Sequence, residues 1–296
     1  MKRSFKCHPL DLGATLRPLQ HGRADPTLRL TRTEAWRATR TPQGPATQHI
    51  HIVGERVEVE AWGPGATWSL EHAPQLVGCS DDASGFTPSH PGVRELHRRN
   101  PGLRVPRSLA VMEVLVPTIL EQKVTGAAAR RSFSALIRAY GEPAPGPHGL
   151  ILLPEPRFLA SVPYQDLHPF GIERKRAATL KIACSYAHRL EETTGMPVDK
   201  GRARLLALPG IGEWTAALVA GAAWGDPDAV EVGDFHVPHL VSWFLAGEPR
   251  GSDERMLELL EPFVGHRGRV IRLIEASGVR APRYGPRVAI AHIARM

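Results

Sequence analysis

Cysteine is scarce: Cys7, Cys79 and Cys184 are the only three in 296 residues, and they form no CxxC pair. Neither a zinc ribbon nor a four-cysteine iron–sulfur cluster can be assembled from them, so no such cofactor is expected. An odd, sparse count suits a reducing compartment better than a disulfide-stapled secreted scaffold. Long apolar runs are missing too. No stretch reaches the roughly 18 uninterrupted apolar residues of a membrane span, and the opening MKRSFKCHPLDLG lacks the apolar segment of a secretory signal. The expectation is a cytoplasmic chain with no membrane partner. The 14 histidines include no HxxxH or HExxH pair, which argues against a catalytic metal held by side chains.

Charge is present in mild excess of one sign. Lys plus Arg number 37 against 30 acids, a net +7, which favours a polyanionic partner without requiring one. Arg56-Val57-Glu58-Val59-Glu60-Ala61-Trp62 alternates polar with apolar, and Gly54-Glu55 separates it from a similar run at Gln48–Val53. Looser alternation at Thr27–Arg32 and Glu34–Arg40 completes an antiparallel meander of about four strands. After Trp62-Gly63-Pro64-Gly65 the apolar period becomes helical, as in Leu109, Met112, Val116, Ile119 and Leu120. Further helices are expected over 126–140, 173–190, 201–207, 213–224, 235–246, 252–263 and 267–275. The fold class is therefore α+β, with a small antiparallel β domain over 1–75 and a large all-α domain over 76–296.

The most informative string is Leu208-Pro209-Gly210-Ile211-Gly212-Glu213-Trp214-Thr215-Ala216. It reads as a tight turn between two helices. Its glycines permit positive φ and close backbone approach, and Ile211 can plug the gap between the helices. N–H groups at the start of the second helix would then face a phosphate, a contact without sequence preference. A plain αα-hairpin would need no such ligand. Beyond it, Gly225-Asp226-Pro227-Asp228-Ala229-Val230-Glu231-Val232-Gly233-Asp234 leads into an apolar helix. Asp234 stands where an N-cap belongs, and a helix N-terminus favours an anion there.

Over roughly residues 105–290 these motifs resemble the helix-hairpin-helix DNA glycosylase superfamily. The resemblance implies two helical lobes, about 105–198 and 199–296, with a pocket between them. Asp234 falls at the family's essential aspartate, so it is the expected catalytic residue, ahead of Asp226, Asp228 and Glu231. Where strand-nicking members carry a lysine this chain has Trp214, so no Schiff base can form there and no lyase activity is expected. Tryptophan at that place is similar to the 3-methyladenine DNA glycosylase II (alkylpurine) branch, and an indole face suits a cationic alkylated base. Core packing is the plainer use of Trp214, and Leu218 stands where a pocket tyrosine is common. Pro209, Gly210, Ile211, Gly212 and Thr215 are the expected DNA contacts. The resemblance also makes Gln122, Lys123 and Val124, in Leu120-Glu121-Gln122-Lys123-Val124, the candidates to fill the gap left by a flipped base. A monovalent ion on the backbone carbonyls of Leu208 and Ile211 is implied in the same way.

The family's last helix carries an aromatic after His-Ile, whereas His292-Ile293 is followed here by Ala294. Residues 265–296 hold Arg267, Arg269, Arg272, Arg280, Arg283, Arg287 and Arg295 against the single acid Glu275, an expected phosphate-binding face. The resulting expectation is a monomeric, nucleoid-associated, monofunctional glycosylase acting on damaged double-stranded DNA. A glycosylase for uracil or a deaminated purine, and a non-catalytic DNA-binding protein, are the alternatives.

Overall fold

A computed structural model describes residues 1–282. The N-terminal strands are β1 Lys2–Lys6, β2 Leu28–Leu30, β3 Glu34–Thr41, β4 Gly44–Val53 and β5 Arg56–Trp62. They form one antiparallel sheet in the order β1-β5-β4-β3-β2. The meander is as expected, and Gly54, at φ +60°, makes the β4–β5 turn. β1 is an addition. Lys-Arg-Ser-Phe-Lys has one apolar side chain, too few for a periodic signal, and pairing with β5 from Lys2↔Glu60 to Lys6↔Arg56 is what orders it.

Helices of seven or more residues are numbered α1 to α10 in chain order. They are α1 Ala66–Leu76, α2 Pro91–Arg99, α3 Val111–Glu121, α4 Gly126–Tyr140 and α5 Arg174–Ser185. The rest are α6 Val198–Leu206, α7 Glu213–Val219, α8 Val237–Ala246, α9 Asp253–Leu260 and α10 Arg267–Ala276. The helix expected over 173–190 breaks at Tyr186 into α5 and Ala187–Glu191. That expected over 213–224 passes from α7 into a π-helical turn, Ala220–Trp224. There the carbonyls of Ala222 and Ala223 accept the N–H groups of Ser108 and Leu109, both at 3.0 Å, so the segment before α3 ends the helix.

Two apolar cores organise the chain. One joins the inner sheet face (Ile50, Val57, Val59) to α1, α3, α5 and the helices up to Trp224. The other gathers Phe86 and Val93 with Val237, Val241, Met256, Leu260 and Ile274 from α8 to α10. α3 lies inside the first core, with Val111, Met112 and the whole run Val114–Leu120 buried. Glu113 ties it to the sheet by accepting from Arg37 at 2.6 Å, Thr39 at 2.9 Å and the Arg40 N–H at 2.8 Å. Asp81 and Arg269, buried and paired at 2.5 and 2.9 Å, pin α10 to the segment after α1. No helix among the described residues is long and apolar enough to cross a membrane.

The sparse cysteines hold a correction. Cys7 and Cys79 are joined in a disulfide, their Cα atoms 5.7 Å apart across 72 residues of sequence. The sheet folding onto α1 creates this proximity, which sequence spacing conceals. Cys184 is free and buried, and burial pushes its thiol up to about 12. Native, unreduced protein should therefore take up no iodoacetamide. Mass spectrometry should count one adduct on the denatured unreduced chain and all three cysteines after reduction. Two labelled cysteines in the native state would refute the pairing.

Candidate active site

α6 and α7 are joined by the expected turn. Ile211 is buried between the helices, while Pro209, Gly210 and Gly212 are exposed. The two glycines serve different ends. Gly210 sits at φ +86°, and a Cβ on it would lie 2.1 Å from Thr179 Oγ1 of α5, so the fold itself demands glycine. Gly212 is extended at φ −111° and a Cβ there would meet no atom of the described residues within 4 Å. Nothing among the described residues requires a bare backbone at 212. Arg202 pairs with Glu213 and so offsets the one acid at the start of α7.

The turn after α3 reaches this hairpin. The Gln122 side-chain amide donates to the Gly210 carbonyl and to Thr215 Oγ1, both at 3.0 Å. Gln122 therefore points into the protein, and Lys123 is the exposed apex. Lys123 has φ +55°, a left-handed conformation uncommon for a residue with a side chain. Val124 is half-buried, and Thr125 caps α4 by accepting the Ala128 N–H at 3.3 Å. A residue that motif reading does not single out supports the turn from beneath. The buried Arg176 guanidinium donates to the carbonyls of Leu120 at 2.7 Å and Gly171 at 2.9 Å, satisfying the C-terminal end of α3.

Asp234 meets Trp214 across the hairpin. Its Oδ1 accepts the N–H groups of His236 at 2.6 Å and Val237 at 2.9 Å, although the N-cap of α8 is His236 and not Asp234 as expected, because the helix starts two residues later. Its Oδ2 accepts the indole N–H of Trp214 at 2.9 Å. Three donors thus fix the carboxylate's orientation. Trp214 is half-buried, so it is neither plain core nor a free stacking platform, and Leu218 lies half-buried one turn further along α7. On the other side of Asp234 opens a cleft of about 390 Å³ lined by Phe235, Pro238, His239, Ser252 and Asp253 among others. Phe235 is 77% exposed beside the carboxylate.

The neighbouring carboxylates are otherwise engaged. Burial alone would raise Asp228, but Arg267, donating from its side chain and its backbone, more than offsets this and holds Asp228 below the ordinary carboxylate range. Asp226 accepts the Asp228 N–H at 2.9 Å, and burial raises its carboxyl. Burial, then the charges of Glu275, Asp234 and Glu121, push the Glu231 carboxyl well above the usual carboxylate range.

The basic C-terminal face needs correcting. Arg267 is spent on Asp228 and Arg269 on Asp81. Arg272 donates to the carbonyls of Arg104, Ala14 and Thr15, and burial lowers it to about 10. α10 turns these arginines inward while its Val270, Ile271, Leu273 and Ile274 enter the second core; charge counting cannot see which way a helix faces. Arg283, Arg287, Arg295 and the His292-Ile293-Ala294 end lie outside the described residues.

No family model matches the chain. A probable bifunctional transcriptional activator/DNA repair enzyme AlkA of Mycobacterium tuberculosis is 33% identical over 148 residues, 49% of this chain and 29% of the relative. DNA-3-methyladenine glycosylase 2 of Escherichia coli is 33% identical over 139 residues, 46% of this chain and 49% of that protein. The chain thus spans about half or less of the curated relatives it matches. The 3-methyladenine DNA-glycosylase of Archaeoglobus fulgidus shares the fold, with TM-score 0.77 at 17% identity over 93% of this chain and 98% of that one. In sequence over about half its length and in fold over nearly all of it, the chain resembles the helix-hairpin-helix DNA glycosylases, and among them the 3-methyladenine glycosylase II branch.

Proposed function

We propose that this protein is a monofunctional DNA glycosylase of base excision repair that removes alkylated purines. The observation that carries the reading is the carboxylate of Asp234, held by three N–H donors beside the exposed hairpin of Pro209, Gly210 and Gly212. The exposed backbone at Gly210 and Gly212 grips a phosphate of the damaged duplex, and Lys123, at the apex of its turn, enters the gap left by the extruded nucleotide. As the base departs, positive charge develops on the deoxyribose, and the fixed Asp234 carboxylate stabilises it and orients the attacking water. N3- and N7-alkylated purines are cationic and leave readily, so little acid catalysis is asked of the protein. Trp214 positions the carboxylate through its N–H and offers the rest of its ring to the base, with Leu218 beside it.

With Trp214 at the lyase position the product is an intact-strand abasic site. The protein acts as a monomer without zinc or an iron–sulfur cluster. Where a monovalent ion binds, the carbonyls of Leu208 and Ile211 hold it and its charge adds to the phosphate grip; the Leu208 carbonyl keeps a lone pair beyond the one taken by the Ile211 N–H at 3.1 Å.

The test is chromatography of free bases after incubation with dimethyl sulfate-treated duplex DNA. Release of 3-methyladenine or 7-methylguanine is the expected result. Duplex binding without release of either base would return the choice to a uracil or deaminated-purine glycosylase or a non-catalytic DNA-binding protein.

A further inference from the structure

The loop that presents Asp234 is short of internal support. Val232 donates to Val230 at 2.9 Å and Asp234 to the Glu231 carbonyl at 3.1 Å, which leaves the Gly233 N–H pointing out of the loop. Gly233 has φ +91° and no side chain, so its peptide is the freest link before the carboxylate. Both oxygens of Asp253 accept that N–H, at 3.0 and 3.1 Å. Asp253 is mounted on a rigid element. It opens α9, whose Ser252 cap accepts the Arg255 N–H at 3.2 Å and whose Met256 and Leu260 are fully buried in the second core. Gly233 itself is exposed, and the hydrogen bonds to Asp253 tie its peptide to α9.

We propose that Asp253 is a positioning residue for Asp234: by holding the Gly233 peptide it fixes the direction in which the loop presents the carboxylate to Trp214 and to substrate. This rests on the reading of Asp234 as the catalytic carboxylate. Asp253 does not touch Asp234, so its contribution is geometric, through one N–H. It is also an anion lining the same cleft, and the test must separate that charge from the hydrogen bond.

Asp253→Asn keeps an acceptor for Gly233 and removes the charge, whereas Asp253→Ala removes both. Two readouts are taken on each variant with wild type. One is the NMR signal of the Trp214 indole N–H, assigned with Trp214→Phe, which reports the bond to Asp234 in the protein alone. The other is single-turnover base release beside duplex affinity. Asp253→Ala should shift the indole signal and slow release by about 10- to 100-fold, with duplex Kd within about twofold, because ångström-scale misplacement of a catalytic group costs rates of this order. Asp253→Asn should return the indole signal and bring the rate to within about threefold of wild type. An unmoved indole signal in Asp253→Ala overturns the proposal. So does an asparagine variant as slow as the alanine one, which would make charge the cause, and so does a rate loss matched by loss of duplex affinity. If wild type releases no base, the catalytic reading of Asp234 fails on its own, and the indole signal still decides whether Asp253 holds the carboxylate.

Discussion

Asp234→Asn should cut base release from methylated duplex by about 100- to 1,000-fold, the scale of losing one preorganised electrostatic group, while duplex binding stays within a few-fold of wild type. The substitution is nearly isosteric. Its amide oxygen can still accept the N–H groups of His236 and Val237, so the turn into α8 keeps these bonds. Its NH2 group, however, faces the Trp214 indole N–H, donor against donor, where Oδ2 had accepted at 2.9 Å. That mismatch costs about 1 kcal/mol of stability, which a thermal melt resolves from loss of the fold. What disappears is the negative charge next to the developing oxocarbenium. Wild-type rates in the variant would move the chemistry to another group. Asp228 is a poor substitute because Arg267 holds it, and Glu231 because burial beside other carboxylates disfavours its ionised form.

The second large effect divides the two hairpin glycines. Gly210→Ala combines a left-handed φ of +86° with a Cβ placed 2.1 Å from Thr179 Oγ1, so α5 and the hairpin must separate. A cost of about 1–3 kcal/mol for the backbone strain, with overpacking added, should lower the melting temperature by several degrees and weaken duplex binding as the turn deforms. Among the described residues Gly212→Val meets no atom within 4 Å of its Cβ, and it keeps an ordinary φ of −111°. Its melting temperature should stay within a few degrees of wild type. Duplex affinity, measured by fluorescence anisotropy at fixed salt, should nonetheless fall by about tenfold, since a branched side chain would stand between a phosphate and the N–H groups of α7. A Gly212→Val protein that binds DNA as wild type does would show that the phosphate sits elsewhere. The paired design separates a glycine required by the fold from one required by the ligand.

Much of the candidate site was legible because its signals are local. Pro209-Gly210-Ile211-Gly212 specifies a turn within a few residues, and the helical periods put α4 and α8 to α10 within about three residues of where they lie. The same local logic made Ile211 the plug between helices, and it is buried. Side-chain direction was not legible. Gln122 reads as a group offered to DNA, yet its amide is consumed by Gly210 and Thr215, and only Lys123 projects. The arginines of α10 read as a basic face, yet two are locked to Asp81 and Asp228 and a third to backbone carbonyls.

By itself, then, the sequence determined the α+β order of elements and the hairpin, because each depends on contacts between residues close in the chain, whereas the choice of Asp234 rests on the family resemblance. The tertiary structure alone decided the fifth strand and the Cys7–Cys79 disulfide, and it alone joined Trp214 to Asp234 and Asp253 to Gly233. Those pairs lie 20 or more residues apart, and no periodicity records which distant donor finds which acceptor; only tertiary packing brings them within hydrogen-bond reach.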